Sequence, residues 1–365
     1  MNILFVTTHS YFPQRVGGSE TSTHELCLQL IKNGHTPTVL TGLDPDSWYG
    51  FINRIKMKLP LYGKLSKSRF GGYDVFRCWD SVLNIADAIK LSDADIAVVQ
   101  AGRQKDCVNA LLKLNIPTVC YLHDTSFESS KDGVKPHKNL AVIANSNYTA
   151  GVYCKGFGLM PYVIPPLVRP ENYITKRTGE SVLFINPHPI KGLAVALKLA
   201  ELNPTMPFDF VWCWGLDRKA REAIEDRAKE LGNISISGPL RDMKKAYANA
   251  KILLSPTGTD VTGKHSITAE AWGLVVTEAQ FSGIPVIATN KGGLPESVGH
   301  GGVLIDYDAA ISEWDRALKT LYYDDKIYEE KVREALRHSL RSEIRVEVLY
   351  EKFIKICNKL TAKSA

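Results

Sequence analysis

The first forty residues leave this chain few folds. Residues 2–8, Asn-Ile-Leu-Phe-Val-Thr-Thr, are an apolar run of strand length. A turn with Gly17-Gly18 follows. Residues 20–33 then carry Leu26, Leu28, Leu30 and Ile31 with helical spacing, and Gly34 stops the helix. Residues 35–41 read as a second buried strand. Two strands joined through a helix pair in parallel, because the crossover returns the chain to the same edge. Parallel sheets need both faces covered, so the fold class is α/β.

The alternation continues. Strands are expected at 73–77, 95–100 and 117–122. Residues 169–180 are polar, carry Pro170 and Gly179, and make the natural linker. A second series follows, with strands at 181–185, 208–213, 234–237, 252–255, 286–289 and 303–305. Helices between them include 193–202 and 218–231, and residues 309–360 read as largely helical. A length of 365 residues is long for one core and comfortable for two. The expected architecture is two Rossmann-like domains facing across a cleft: 1–168, a linker over 169–180, and 181–345, with 346–365 as a final helix. The chemistry should sit in that cleft.

Composition narrows the classes. A hydrophobic content of 44% and a charged content of 23% are those of an ordinary globular protein. The net charge of +6 is mild and gives no reason to expect a nucleic-acid partner. No run approaches a membrane span, and the short apolar start has no signal-peptide layout. The seven cysteines, at 27, 78, 107, 120, 154, 213 and 357, form no C-x-x-C pair. Reduced thiols in a cytoplasmic protein are therefore expected, with no zinc site.

Open α/β sheets bind ligands at the carboxyl ends of their strands. Three groups stand there. Gly17-Gly18 lacks a full G-x-G-x-x-G, which argues against a dinucleotide, and a plain turn is its bland reading. His123-Asp124 ends the strand at 117–122; a lone histidine is more often structural, but its position favours function. Asn186-Pro-His-Pro-Ile-Lys191-Gly192 puts a lysine at a glycine turn, a phosphate grip or a solvated surface residue.

The richest stretch runs from Glu270 to Glu296. Glu270 and Glu278 have seven residues between them, Gly273 stands where a loop becomes a helix, and Gly283, Pro285-Val286 and Gly292-Gly293 follow. Free N–H groups at the helix start suit an anion, and Glu270 and Glu278 suit hydroxyls on either side of it. Phosphate between two polyol ends describes a nucleotide sugar. Two exposed helix glutamates are the bland alternative.

This stretch resembles the donor-binding motif of family 4 of the glycosyl transferases group 1, retaining enzymes of the GT-B fold. The family pattern is E-x7-E, then G-x-P-V-I-A-T and G-G-x-x-E. Glu270, Gly273, Leu274, Glu278, Gly283, Pro285, Val286, Gly292, Gly293 and Glu296 match it. Ala271-Trp272 replaces the usual Pro-Phe. Lys191-Gly192 matches the lysine of G-R-x4-K-G, whereas Asn186 stands near the place of the arginine.

The resemblance implies transfer of a sugar from a UDP- or GDP-linked donor with retention, to a glycan or lipid-linked acceptor in cell-surface polysaccharide or glycolipid synthesis. It implies Glu270, His123 and Lys191 as catalytic residues. Gly17, Gly18, Asn186, Lys191, Gly273, Leu274, Val275 and Glu278 would be donor contacts. It implies a strand-to-helix turn at 140–146, a last strand of the first domain at 162–168 and a helix at 243–249, and that the last helix crosses back to the first domain. No metal and no cofactor are expected, the nucleotide sugar being a co-substrate. A nucleotide-sugar-binding protein without turnover, or an epimerase on the same fold, stays open beside it.

Two stretches stand apart. Residues 48–69 mix Trp48, Tyr49, Phe51, Ile52 and Ile55 with Arg54, Lys56, Lys58, Lys64, Lys67 and Arg69, and no acid lies between Asp46 and Asp74. Such a mixture suits an anionic membrane surface at the inner face, or an anionic acceptor; a loop packing its apolar side inward is the alternative. Pro60 and Gly63 rule out a long helix there. Residues 257–269 form a long connection beside the donor motif, fitted to sugar choice, to closure, or to neither.

Overall fold

The computed structural model describes residues 1–58, 64–125, 134–213, 217–240, 242–259 and 269–362. The chain divides into two compact units, Met1–Leu167 with Arg345–Ala365, and Val168–Ile344.

The first unit is built on eight strands: β1 (Asn2–Val6), β2 (Thr36–Gly42), β3 (Ser66–Phe70), β4 (Tyr73–Cys78), β5 (Ile96–Val99), β6 (Thr118–Leu122), β7 (Leu140–Ala144) and β8 (Tyr162–Val163). Their order is β3-β4-β2-β1-β5-β6-β7-β8, and all pairs are parallel except β3 with β4. Alternate side chains serve opposite faces. Ile3, Phe5, Val39, Val98 and Tyr121 pack on one side with Leu26 and Leu30 of the helix Gly18–Lys32. Leu4, Val6, Leu40, Val99 and Leu122 pack on the other, with Ile85, Val108, Leu111 and Tyr153 from three further helices. The helix Val346–Thr361 joins the first face through Leu349, Phe353 and Ile356, and its Tyr350 hydroxyl lies 3.0 Å from His35 Nε2.

Two parts of this unit differ from the sequence expectation. Residues 48–69 hold a nine-residue helix, Trp48–Lys56, and then β3. β3 and β4 make a hairpin with Phe70 opposite Tyr73, turned by Gly71-Gly72. Both glycines have positive φ, 55° and 91°, as type I′ hairpin turns require. β8 pairs over two residues only, because Pro165 and Pro166 bring no N–H to the ladder.

The second unit repeats the scheme with β9 (Ser181–Ile185), β10 (Phe208–Val211), β11 (Ile234–Ser237), β12 (Ala250–Ser255), β13 (Val286–Thr289) and β14 (Gly302–Ile305). All are parallel, in the order β11-β10-β9-β12-β13-β14. Residues 169–180 are tied to this unit. Thr175 N–H donates to Ser282 Oγ at 2.9 Å, and the Ser282 hydroxyl donates to Tyr173 O at 3.2 Å. In each sheet the strand order turns at the first strand of the unit: β1 between β2 and β5, and β9 between β10 and β12. The space beyond the carboxyl ends at such a switch is the natural ligand site.

Candidate active site

In the second unit, the loops after β9 and β12 meet beside the start of the helix Leu274–Gln280. Lys191 closes a 3-10 turn, Pro189–Lys191, and Gly192 (φ 83°) starts the next helix. A Cβ on Gly192 would lie 2.2 Å from Pro256 O, so the loop after β12 can sit against it only because the side chain is missing. This places Lys191 Nζ in an ion pair with Glu270 Oε2, about one-fifth of each side chain remaining exposed. Thr257, next to Pro256, donates its hydroxyl to the same oxygen at 3.3 Å.

Glu270 is located through its backbone. Its carbonyl accepts the Gly293 N–H at 2.7 Å. A Cβ at Gly292 would stand 2.4 Å from that carbonyl, and one at Gly293 would stand 2.0 Å from Ala271 O. The Gly-Gly pair is thus the bed on which residues 269–272 lie. Trp272, in place of the family's phenylalanine, is buried, donates to Thr277 Oγ1 at 3.0 Å and lies under the Arg341 guanidinium at 5.7 Å. Gly273, in the left-handed region at φ 85°, begins the helix, and no side chain caps it. Leu274 and Val275, half-buried, are its first residues.

Glu278 faces elsewhere. It is buried, and its Oε2 accepts the Tyr247 hydroxyl at 2.5 Å. Burial raises its pKa from 4.5 to about 7, against hydrogen bonds from Tyr247 and Tyr173 that pull it down. The two carboxylates of the motif therefore have separate partners: Lys191 and Thr257 for Glu270, tyrosines for Glu278.

Asn186 follows β9 with φ 60°, a left-handed conformation that asparagine tolerates better than arginine does, and it is buried. His188 Nδ1 accepts the Ile190 N–H at 3.2 Å.

In the first unit, His123 follows β6 and stacks on Tyr121. Its Nε2 meets the amide oxygen of Gln100, which follows β5. With that oxygen as acceptor, the ring carries its proton on Nε2 and keeps Nδ1 as an acceptor. Burial lowers the His123 pKa from 6.5 to about 4, Asp124 opposing, so the ring is neutral near pH 7. Gly17 precedes the helix Gly18–Lys32 in an extended conformation, and Gly18 is its first residue. Glu20, in the first turn, is buried beside Arg15 Nε at 3.7 Å and His9 Nδ1 at 4.0 Å. Burial, then Arg15, lowers the His9 pKa.

Sequence reasoning missed Thr257, Tyr247 and Gln100 as partners of the named residues. Thr257 and Gln100 each follow a strand at the switch point, which was a usable signal; Tyr247 had none. Residues 260–268 of the long connection lie outside the described residues.

Comparison with known proteins gives three findings. The family model described as Glycosyl transferases group 1 matches residues 182–324, and the model described as Glycosyltransferase Family 4 matches residues 16–172. D-inositol 3-phosphate glycosyltransferase of Corynebacterium urealyticum is 35% identical over 138 residues, 36% of this chain and 31% of that protein. The Corynebacterium jeikeium protein of the same name is 48% identical over 153 residues, 38% and 34%. The chain thus spans about a third of the length of the curated relatives it matches. Among solved structures, Anabaena HepE in complex with UDP and glucose superposes with a TM-score of 0.73 at 18% identity, over 98% of this chain and 99% of that one. That likeness is one of fold, and the fold is GT-B.

Proposed function

Because this chain belongs to the glycosyl transferases group 1, family 4, we propose that it moves a sugar from a nucleotide diphosphate donor to an acceptor, with retention at the anomeric carbon. The observation that carries the reading is Glu270 held against Lys191 and Thr257 beside an uncapped helix start. The relatives named above are glycosyltransferases, and a fold neighbour holds UDP and glucose, so a UDP-hexose is the donor to test first, before a GDP-sugar. The acceptor is a glycan or a lipid-linked acceptor of cell-surface polysaccharide or glycolipid synthesis.

The hard step is departure of the diphosphate while the sugar gains oxocarbenium character. Lys191 exchanges the Glu270 carboxylate for the diphosphate, and the N–H groups at Gly273, Leu274 and Val275 add their partial charge. Glu270, released, accepts hydroxyls of the transferred sugar. Glu278 accepts the ribose hydroxyls after turning from Tyr247, and Asn186 lies beneath the diphosphate. In the first unit, neutral His123 accepts a sugar hydroxyl at Nδ1, and Gly17-Gly18 lets the donor approach the backbone. No side chain is assigned as a covalent nucleophile, and no metal or cofactor enters the scheme.

The test is nucleotide release from UDP- and GDP-sugars, with and without a lipid and glycan extract. Glu270→Ala should lower extract-dependent release by at least about 100-fold, the scale of losing a group that meets the transition state, with an unchanged melting temperature. Equal release by the variant would sink the assignment. Asn186, where the family has arginine, favours one rival: a protein that binds the nucleotide sugar without turnover. Binding with no release for any donor would identify it.

A further inference from the structure

The helix Trp48–Lys56 is turned inside out. Its buried residues are Gly50 and Asn53. Asn53 accepts the Ser66 hydroxyl at 2.6 Å and donates to Tyr49 O at 2.7 Å. A Cβ on Gly50 would lie 2.1 Å from Asp44 O, so the helix seats closely on that loop. Ser47 caps it, and Gln14 holds the cap by donating to Ser47 Oγ at 2.8 Å and to Asp44 O at 2.7 Å. The helix is therefore fixed in orientation, with a polar side chain and a glycine facing the core.

The outward stripe is Trp48, Phe51, Ile52 and Ile55, at helical spacing 0, 3, 4 and 7. Trp48 is 75% exposed, Phe51 47% and Ile55 52%. The Trp48 and Phe51 rings stack at 5.4 Å. Beside the stripe, Arg54 reaches over the half-exposed Trp79 ring at 5.8 Å, and Lys56 and Lys58 are exposed. No acid lies between Asp46 and Asp74. Lys67 belongs elsewhere, paired with Asp74 at 2.7 Å. Among the described residues no helix is long and apolar enough to cross a membrane.

We propose that this face docks the first unit on an anionic lipid surface. Aromatic and branched side chains enter the boundary between headgroups and acyl chains, while Arg54, Lys56 and Lys58 meet the headgroup charge. Charge complementarity selects this occupant. A second copy of the chain would bring the same positive charge to the contact, and a free polyanion would leave the apolar stripe in water. The proposal stands apart from the transferase reading, since its test reads binding alone.

The experiment is sedimentation of the whole protein with phosphatidylcholine vesicles, with and without phosphatidylglycerol. The expected result is partitioning to the anionic vesicles only, weakened by salt. Lys56→Gln with Lys58→Gln should lower it about 25-fold, at roughly fivefold per charge near such a surface. Brominated acyl chains should quench the wild type, and Trp48→Phe should lose most of that quenching at an unchanged melting temperature. Equal binding by the lysine variant, no partitioning at low salt, or self-association without vesicles that Trp48→Ser abolishes would each overturn it.

Discussion

In the second unit Glu270 is located by its backbone; in the first, His123 is located by its side chain. Glu270 rests on Gly292 and Gly293, positions where a single added carbon meets a carbonyl at 2.4 Å or closer. His123 is aimed by the Gln100 amide and a stacked Tyr121. Both stand beyond a parallel sheet, on loops that follow its strands. The same scaffold can therefore hold a charged group by excluding side chains or a neutral one by supplying them. A carboxylate that changes partners needs its backbone fixed and its side chain free. A histidine that must stay neutral with one tautomer needs its ring fixed.

The sharpest way to break this contrast is a pair of glycine substitutions with opposite expected signs. Gly293→Ala forces Ala271 O away and should cost about 1–3 kcal/mol, the range for overpacking. It should also weaken donor binding, because the Glu270 carbonyl loses its donor at 2.7 Å. Gly151, in the helix Asn147–Phe157 of the first unit, has nothing within 4 Å of an added Cβ. Gly151→Ala should stabilise by about 0.5–1 kcal/mol, the difference in helix interiors. Thermal unfolding of both variants reads the outcome. Equal shifts would mean that Glu270 does not depend on its glycine bed.

That contrast also explains what was legible in the sequence. The glycines, the carboxylates and Lys191 lie in order along the chain, and their spacing is the geometry. The parallel strands were legible for the same reason, since apolar runs alternating with helical periodicity leave one pairing scheme. Partners that come from other elements were not. Tyr247 reaches Glu278 across 31 residues, and nothing in its own neighbourhood marks it. Gln100 reaches His123 across 23 residues, and only its place after a strand at the switch point marks it. The β3–β4 hairpin was hidden because Lys67, Ser68 and Arg69 break the alternation of an edge strand, although Gly71-Gly72 was its signature. The helix Trp48–Lys56 was obscured by the rule that apolar faces point inward, which it reverses.

A smaller effect tests the first unit. Gln100→Leu removes the oxygen that holds the His123 Nε2 proton. Turnover should fall about fivefold to tenfold, the worth of one hydrogen bond. Gln100 acts through the ring, so a structural readout is needed beside the rate. Nitrogen NMR of the imidazole should show the Nε2-protonated tautomer in the wild type and a mixture in the variant. A single unchanged tautomer would mean that the ring is set by stacking on Tyr121.

The smallest effect is in the pH dependence of stability, where buried groups should pull in opposite directions. His123 is held neutral, with its pKa lowered from 6.5 to about 4. Between those values the unfolded chain binds the extra proton, so its contribution is lost as pH falls from about 6.5 to 4. His338 in the second unit, lowered to about 4 by burial and then Arg341, adds to the same acid limb, so that limb belongs to neither unit alone. Glu278 works the other way. Its folded pKa is raised from 4.5 to about 7, so the folded chain keeps a proton that the unfolded one releases. Its contribution to stability declines as pH rises through that window and levels off above 7. Glu278→Gln keeps an acceptor for the Tyr247 hydroxyl but cannot titrate. The two histidines outweigh Glu278 below pH 6.5, so the readout is the difference in urea midpoint between the variant and the wild type, which should shift in the variant's favour as pH rises from about 5 to 7. A difference that stays constant from pH 5 to 7 would show that Glu278 is ionised throughout. Its carboxylate would then be stabilised enough by the two tyrosines to overcome burial, and ready for hydroxyls at any pH at which the protein folds.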